Sequence, residues 1–169
     1  MALHAEAKRA NVEGSVRHYV VSNLSATFTS GDAIDLGGGE KFDDTLYAEW
    51  LQVRLLEQAA PRGMESPRLR EGHYGRELWH LLNLNIFVRP GKLTTFNSLR
   101  LQTLRDTVLA FFTPGTRVAV KDYAGDSQTL GYLYCERADR DGPVADPQRE
   151  NELLQWQLLI AMRWSETWS

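Results

Sequence analysis

Glu77-Leu78-Trp79-His80-Leu81-Leu82-Asn83-Leu84-Asn85-Ile86-Phe87-Val88-Arg89, stopped by Pro90-Gly91, decides how the rest of the chain is read. The run is rich in aromatic, branched and Leu residues and holds no Gly or Pro until its end, so it reads as one strand. At about 3.3 Å per residue it spans roughly 40 Å, about twice the usual strand. A strand that long outruns the core of a small domain. Its inner half is expected under a covering helix, and its outer half, toward Gly75, against a neighbouring molecule.

Upstream, Thr45 to Glu57 alternates, with Leu51, Val53 and Leu55 toward a core and Gln52 and Arg54 toward water or a partner. It pairs with the long strand as an antiparallel β-hairpin. The connection, residues 59–75, is turn-rich and basic, with Arg62, Arg68, Arg70 and Arg76 against Glu65 and Glu71. Loops of that length inside compact domains are usually functional or disordered. Downstream of Pro90-Gly91, Thr95 to Phe112 is an amphipathic helix. Its stripe is Leu101, Leu104, Val108 and Phe111, widened by Phe96, Leu109 and Phe112, and Pro114-Gly115 stops it.

Arg117–Tyr123 and Thr129–Arg137 form a second hairpin about the turn Ala124-Gly125-Asp126-Ser127, followed by an Asp-, Pro- and Gly-rich loop over 138–150. Leu153 to Trp168 alternates with period two and reads as a long closing strand. At the other end, Val12, Val16, Tyr19, Val20 and Leu24 make Ala5–Leu24 a helix in spite of Gly14. Ala26–Thr29 is expected as a short strand. The expected architecture is a single α+β domain over residues 1–169: a mostly antiparallel sheet with a long β-hairpin, covered by two helices.

The apolar share of 43% and charged share of 24% are those of an ordinary soluble globular chain. No run approaches the ~18 apolar residues of a membrane span, and Met1–Leu24 lacks a signal-peptide core, so a cytosol-like compartment is expected. The single cysteine, Cys135, rules out an internal disulfide and reads as inert packing on a strand. A net charge of −3 gives no global reason to bind nucleic acid.

The residues carry no recognisable chemistry. His4, His18, His73 and His80 lack metal-ligand spacing and have no Cys nearby. Asp139-Arg140-Asp141-Gly142 echoes a calcium loop without the rest of its ligands, and a solvated turn is the plainer reading. Gly37-Gly38-Gly39 lacks the Lys-Ser/Thr of a phosphate loop and a following helix, which leaves a flexible loop. No serine sits in a Gly-x-Ser-x-Gly context. The expectation is a protein without catalytic, metal or cofactor sites.

All five tryptophans, Trp50, Trp79, Trp156, Trp164 and Trp168, fall in strand-like runs. Trp164 and Trp168, at the far C-terminus, are hard to bury within one small domain, and Trp is favoured at interface hot spots. Trp79, Trp164 and Trp168 are therefore candidate subunit contacts, and Arg62, Arg68 and Arg70 candidate contacts to an acidic partner.

The order of elements resembles that of the tail terminator (tail completion) proteins of long-tailed bacteriophages. In that family an N-terminal helix precedes a short strand, a long β-hairpin, a covering helix, a second hairpin and a final strand. The matching stretches are Ala5–Leu24, Ala26–Thr29, Thr45–Arg89, Thr95–Phe112, Arg117–Arg137 and Leu153–Trp168. The resemblance implies a virion protein, made in the host cytoplasm and sited at the neck end of the tail. Its homohexameric ring would cap the tail tube, end polymerisation and dock the head connector or stopper protein. DNA would pass through the channel without specific binding, and the weak attraction of an acidic chain suits that passage. The other readings are a different neck component, such as a head–tail adaptor or stopper, and a cytosolic protein-binding module.

Overall fold

The structure, a computed structural model, describes residues 9–28, 30–37, 41–58, 74–91, 97–123, 125–144 and 153–168. Its strands are β1 (Ile34–Asp35), β2 (Glu49–Gln58), β3 (Tyr74–Val88), β4 (Arg117–Lys121), β5 (Thr129–Pro143) and β6 (Leu154–Trp168). Its helices are α1 (Arg9–Leu24) and α2 (Asn97–Ala110). The strands form one six-stranded sheet in the order β1-β2-β3-β6-β5-β4. All pairings are antiparallel except β1 with β2. The fold is α+β and single-domain, as expected.

The long strand is real: β3 holds 15 residues and pairs with β2 from Val88↔Glu49 to Trp79↔Gln58. The closing strand β6 is not peripheral. It is central, paired to β3 along its whole length, from Val88↔Leu154 to Tyr74↔Trp168. Alternation then sorts the side chains. One face presents Leu51 and Val53, then Leu82, Leu84, Ile86 and Val88, then Leu158, Ile160 and Met162, all buried. Full burial of each such side chain contributes about 1.5–3 kcal/mol.

α2 covers β3 and β6 with Leu101, Leu104 and Val108. Phe112 rather than Phe111 completes its stripe, because the chain tightens as the helix ends: Phe111 N donates to Val108 O and Phe112 N to Leu109 O. α1 buries Val12, Val16, Val20 and Leu24. Gly14, a weak point for a helix in the sequence, lies where a Cβ would come 3.0 Å from the Tyr123 ring. Close approach explains that glycine.

α1 touches both ends of the strand order. Ser15 and Asn11 bond to β4 and the turn after it, while Glu13, Val16 and Arg17 share a small cavity with Leu36, Val53 and Leu55. One helix can do both only if the sheet curls around it.

Four local expectations are corrected. Residues 25–27 form a turn closed by Thr27 N donating to Leu24 O, and Phe28 is spent in the core, so Ala26–Thr29 is not a strand (Thr29 itself lies outside the described residues). The short N-terminal strand is β1 instead. β2 starts at Glu49, because Asp43 caps a 3-10 turn over Asp44–Leu46 by accepting from Thr45 N and Thr45 Oγ1. β5 runs on to Pro143 through the stretch expected as a loop, with register shifts beside Ala138. Within it, the calcium-like Asp141 accepts hydrogen bonds from Arg105 and Trp156 rather than standing in a solvated turn.

Candidate assembly surfaces

Two strands outrun the sheet. β2 stops at Gln58, opposite Trp79, and β5 leaves β6 at Tyr134, opposite Arg163. Beyond those points Tyr74–Leu78 and Trp164–Trp168 pair only with each other among the described residues. The result is a two-stranded ribbon roughly 16 Å long whose outer backbone edges pair with no strand among the described residues. The outer half of β3, expected to lie against a neighbour, is thus first of all paired to β6 of its own chain.

The candidate tryptophans separate here. Trp79 takes the register position between Gln58 and Arg163, and Trp168 stands opposite Tyr74 at the ribbon's end. Trp164 is a correction: it is 5% exposed, with its ring 5.6 Å from that of His80, so it belongs to the protomer's own core. The sheet curls far enough for its core face to reach that position. Trp164 Nε1 is buried with no hydrogen-bond acceptor among the described residues. Arg62, Arg68 and Arg70, with the rest of residues 59–73, lie outside the described residues.

The face of the sheet turned away from the helices carries a second feature, which the sequence reading left as generic polar positions. Gln155 Nε2 donates to Asn85 Oδ1 (3.1 Å), Asn85 Nδ2 to Gln52 Oε1 (3.2 Å), and Gln52 Nε2 to Asp35 Oδ2 (3.2 Å). Gln157 Nε2 donates in parallel to Asn83 Oδ1 (3.1 Å). These amides form a ladder across β6, β3 and β2. Arg54 closes it at Asp35 through Nη2 (2.7 Å). Burial alone would raise the Asp35 carboxyl. The hydrogen bonds from Arg54, Gly37 N and Gln52, with the charge of Arg54, outweigh it and hold the group below its ordinary value.

An aromatic shelf stands at one end of the ladder. Trp50 stacks on Phe87 at 4.8 Å, and the Arg89 guanidinium lies 5.3 Å over the indole. At the other end Arg163 and Arg117 both lie 5.6 Å from the Tyr134 ring. The sequence signal for the ladder is Asn83-x-Asn85 beside Gln155-x-Gln157, amides at period two on strands that prove to be neighbours. Chemically the ladder is polar, uncharged through its middle and internally satisfied. It contains no nucleophile with a base beside it. Cys135 is 1% exposed, and burial, with the Glu136 charge second, pushes its thiol up to about 12.

The sheet's two edges differ. At β4, Ser15 Oγ accepts from Lys121 N (2.9 Å) and Asn11 Oδ1 from Tyr123 N (3.2 Å), so α1 covers the Lys121 end of that strand. At β1 an open cleft of about 700 Å³ lies between α1 and residues 41–47, lined by Val21, Ile34, Leu36, Phe42, Leu46 and Tyr47. Leu46 is 71% exposed and Val21 40%.

No family model and no curated protein matches the chain. Among solved structures, one whose name is a bare sequence label, stating no activity, is similar over 96% of this chain and 96% of its own. The TM-score is 0.52 at 10% sequence identity, a likeness of fold alone.

Proposed function

We propose that the protein is the tail terminator of a long-tailed bacteriophage. In this reading it is a virion subunit that assembles into a ring, six to the ring, on the finished tail tube. The ring stops tube growth and offers the head connector its docking face. The observation that carries the reading is the ribbon of Tyr74–Leu78 and Trp164–Trp168, a paired arm running past the sheet with neither edge paired among the described residues. A free monomer gains nothing from such edges, which invite pairing with other chains. A ring subunit needs surfaces of this kind, because a head-to-tail contact joins two different patches and closes when the rotation closes.

The amide ladder supports the same reading. A channel for DNA needs a wettable lining with little cationic charge, since each lysine or arginine against phosphate adds salt-dependent affinity. Self-satisfied Gln and Asn side chains answer that need. In this assignment the ladder face turns to the lumen, and the Arg62–Arg70 stretch meets the connector.

Two measurements test the proposal. Native mass should give a ring of six protomers at micromolar concentration, and the purified ring should bind the open end of tail tubes and halt their extension. Reversing charge at Arg62, Arg68 and Arg70 should leave folding and capping intact and block head joining. A protein that stays monomeric and leaves tube growth unchanged overturns the assignment.

A further inference from the structure

We infer that the cleft beside β1 is the socket for the ribbon of a second copy of this chain, which enters as an added strand. The inference rests on the ring reading and names its interface.

The occupant follows from four observations. First, β1 is an edge strand: β2 pairs with one side of it, and no described strand pairs with the other. Such an edge presents backbone donors and acceptors to any extended segment. Second, the opposite end of the sheet is less open to addition. Ser15 and Asn11 of α1 cover the Lys121 end of β4. The far half of β5, free of β4 beyond Tyr134, is broken by register shifts beside Ala138 and ends in Pro143, features that blunt an edge. Third, the cleft offers apolar surface next to that edge, led by Leu46 and Val21. Its charged groups, Arg17 and Lys41 against Asp32, Asp35 and Asp43, are of both signs with acid in excess, and Asp35 is already paired to Arg54. A mixed, slightly acidic lining of that kind does not select a polyanion. It fits a segment such as the ribbon, where Arg76 stands opposite Glu166 and Tyr74 opposite Trp168.

Fourth, the ribbon cannot reach the cleft of its own chain. In register, Ile34 of β1 stands beside Leu51, and Leu51 beside Ile86, whereas the ribbon begins at Leu78. From Ile86 to Leu78 is eight residues of continuous, paired β3, roughly 26 Å. The two surfaces are different and are held apart by the fold, so it takes a second copy to bring them together. Repeated from copy to copy, that contact is heterologous and can close a ring.

Cysteine pairing reads the contact directly. Copies carrying Leu46→Cys are mixed with copies carrying Thr167→Cys under mild oxidation. Cys135 is buried with a raised pKa, so the introduced thiols are the ones that react. The expected product is the mixed disulfide dimer, in large excess over either variant oxidised alone. In a second arm Leu46→Arg, at a highly exposed site, should keep the thermal midpoint while weakening association at least tenfold. A wild-type ring that survives Leu46→Arg and yields no mixed disulfide overturns the socket and leaves the ring reading standing. A wild-type monomer that nevertheless forms the mixed disulfide selectively supports the socket and counts against the ring. A monomer that forms none overturns both.

Discussion

Glu49 is a carboxylate with 0% side-chain exposure at the start of β2, a costly place for a charge. It is tolerated because Arg100 of α2 donates to both its oxygens, Nε to Oε2 at 2.7 Å and Nη2 to Oε1 at 2.6 Å, and ties Nη2 to Thr27 O as well. The pair joins α2, β2 and the turn after α1 at one point. Removing one member of a buried pair costs more than the pair contributes, because the remaining charge keeps its desolvation penalty. Arg100→Ala should lower unfolding free energy by about 3–5 kcal/mol, read from the urea midpoint, and Arg100→Lys should restore only part of it. An Arg100→Ala midpoint within error of wild type would show the pair to be incidental. Asp141 makes a different, pH-dependent contribution. Hydrogen bonding from Arg105 comes first, then that from Trp156 and the Arg105 charge, and against burial they hold its carboxyl below the ordinary value. A depressed folded pKa gives stability that is present above the unfolded value, near 3.9, and lost as pH falls through the folded one. Asp141→Asn should therefore cost about 1 kcal/mol at pH 7, once solvent screening is allowed for. The cost should shrink as pH falls below the unfolded value and through the folded one. Parallel stability curves from pH 7 to pH 2 would contradict this.

α1 works as a lid on the β4 end, through side chains rather than a further strand. Ser15 is 2% exposed; its Oγ donates to Asn11 O and accepts from Lys121 N. Ser15→Ala should leave that strand N–H without its acceptor, lower stability by about 1–2 kcal/mol and speed hydrogen exchange at Lys121 while Val118 stays protected. Equal exchange at Lys121 in both proteins would remove the lid from the account. This contact shows where the sequence was legible and where it was not. β3, β6, α1 and α2 could be read because long periodic runs carry their own signal. β1 could not, because Ile34–Asp35 is fixed by Ala33 O accepting from Leu51 N, a partner far along the chain. Nor could the far half of β5, where Asp, Gly and Pro argue for a loop. Pairing to β6 holds it extended, and Pro143 is tolerated because β4 pairs with β5 only up to Tyr134 and leaves one side free. The candidate surfaces divide in the same way. Alternation announced the overlong strands, but the ladder needed the β3–β6 register, and the burial of Trp164 needed the curl of the sheet.

At the scale of the whole molecule the sheet has one apolar, buried face and one polar, half-buried one. On the proposed ring reading, the polar face carries a specific consequence. Its middle is neutral because Gln52, Asn83, Asn85, Gln155 and Gln157 satisfy one another. A channel lined this way lets a polyanion pass with little attraction, whereas cations repeated around a ring would hold it. Six copies of Gln155→Lys/Gln157→Lys would place twelve added cations on the lumen. The variant should lose a few kcal/mol at most from the missing amide bonds, and it should still form rings and cap tubes. Double-stranded DNA, which the wild-type ring should not retain, should now bind at low salt. The affinity should fall steeply as salt rises, with a slope that grows with the number of phosphates engaged. Particles built with the variant should release their DNA more slowly at low ionic strength and recover at high. DNA retention by the same substitutions in an isolated, unassembled protomer would mean only a basic patch. Retention that depends on the ring places the ladder on its inner wall, and unchanged release in assembled particles places it outside.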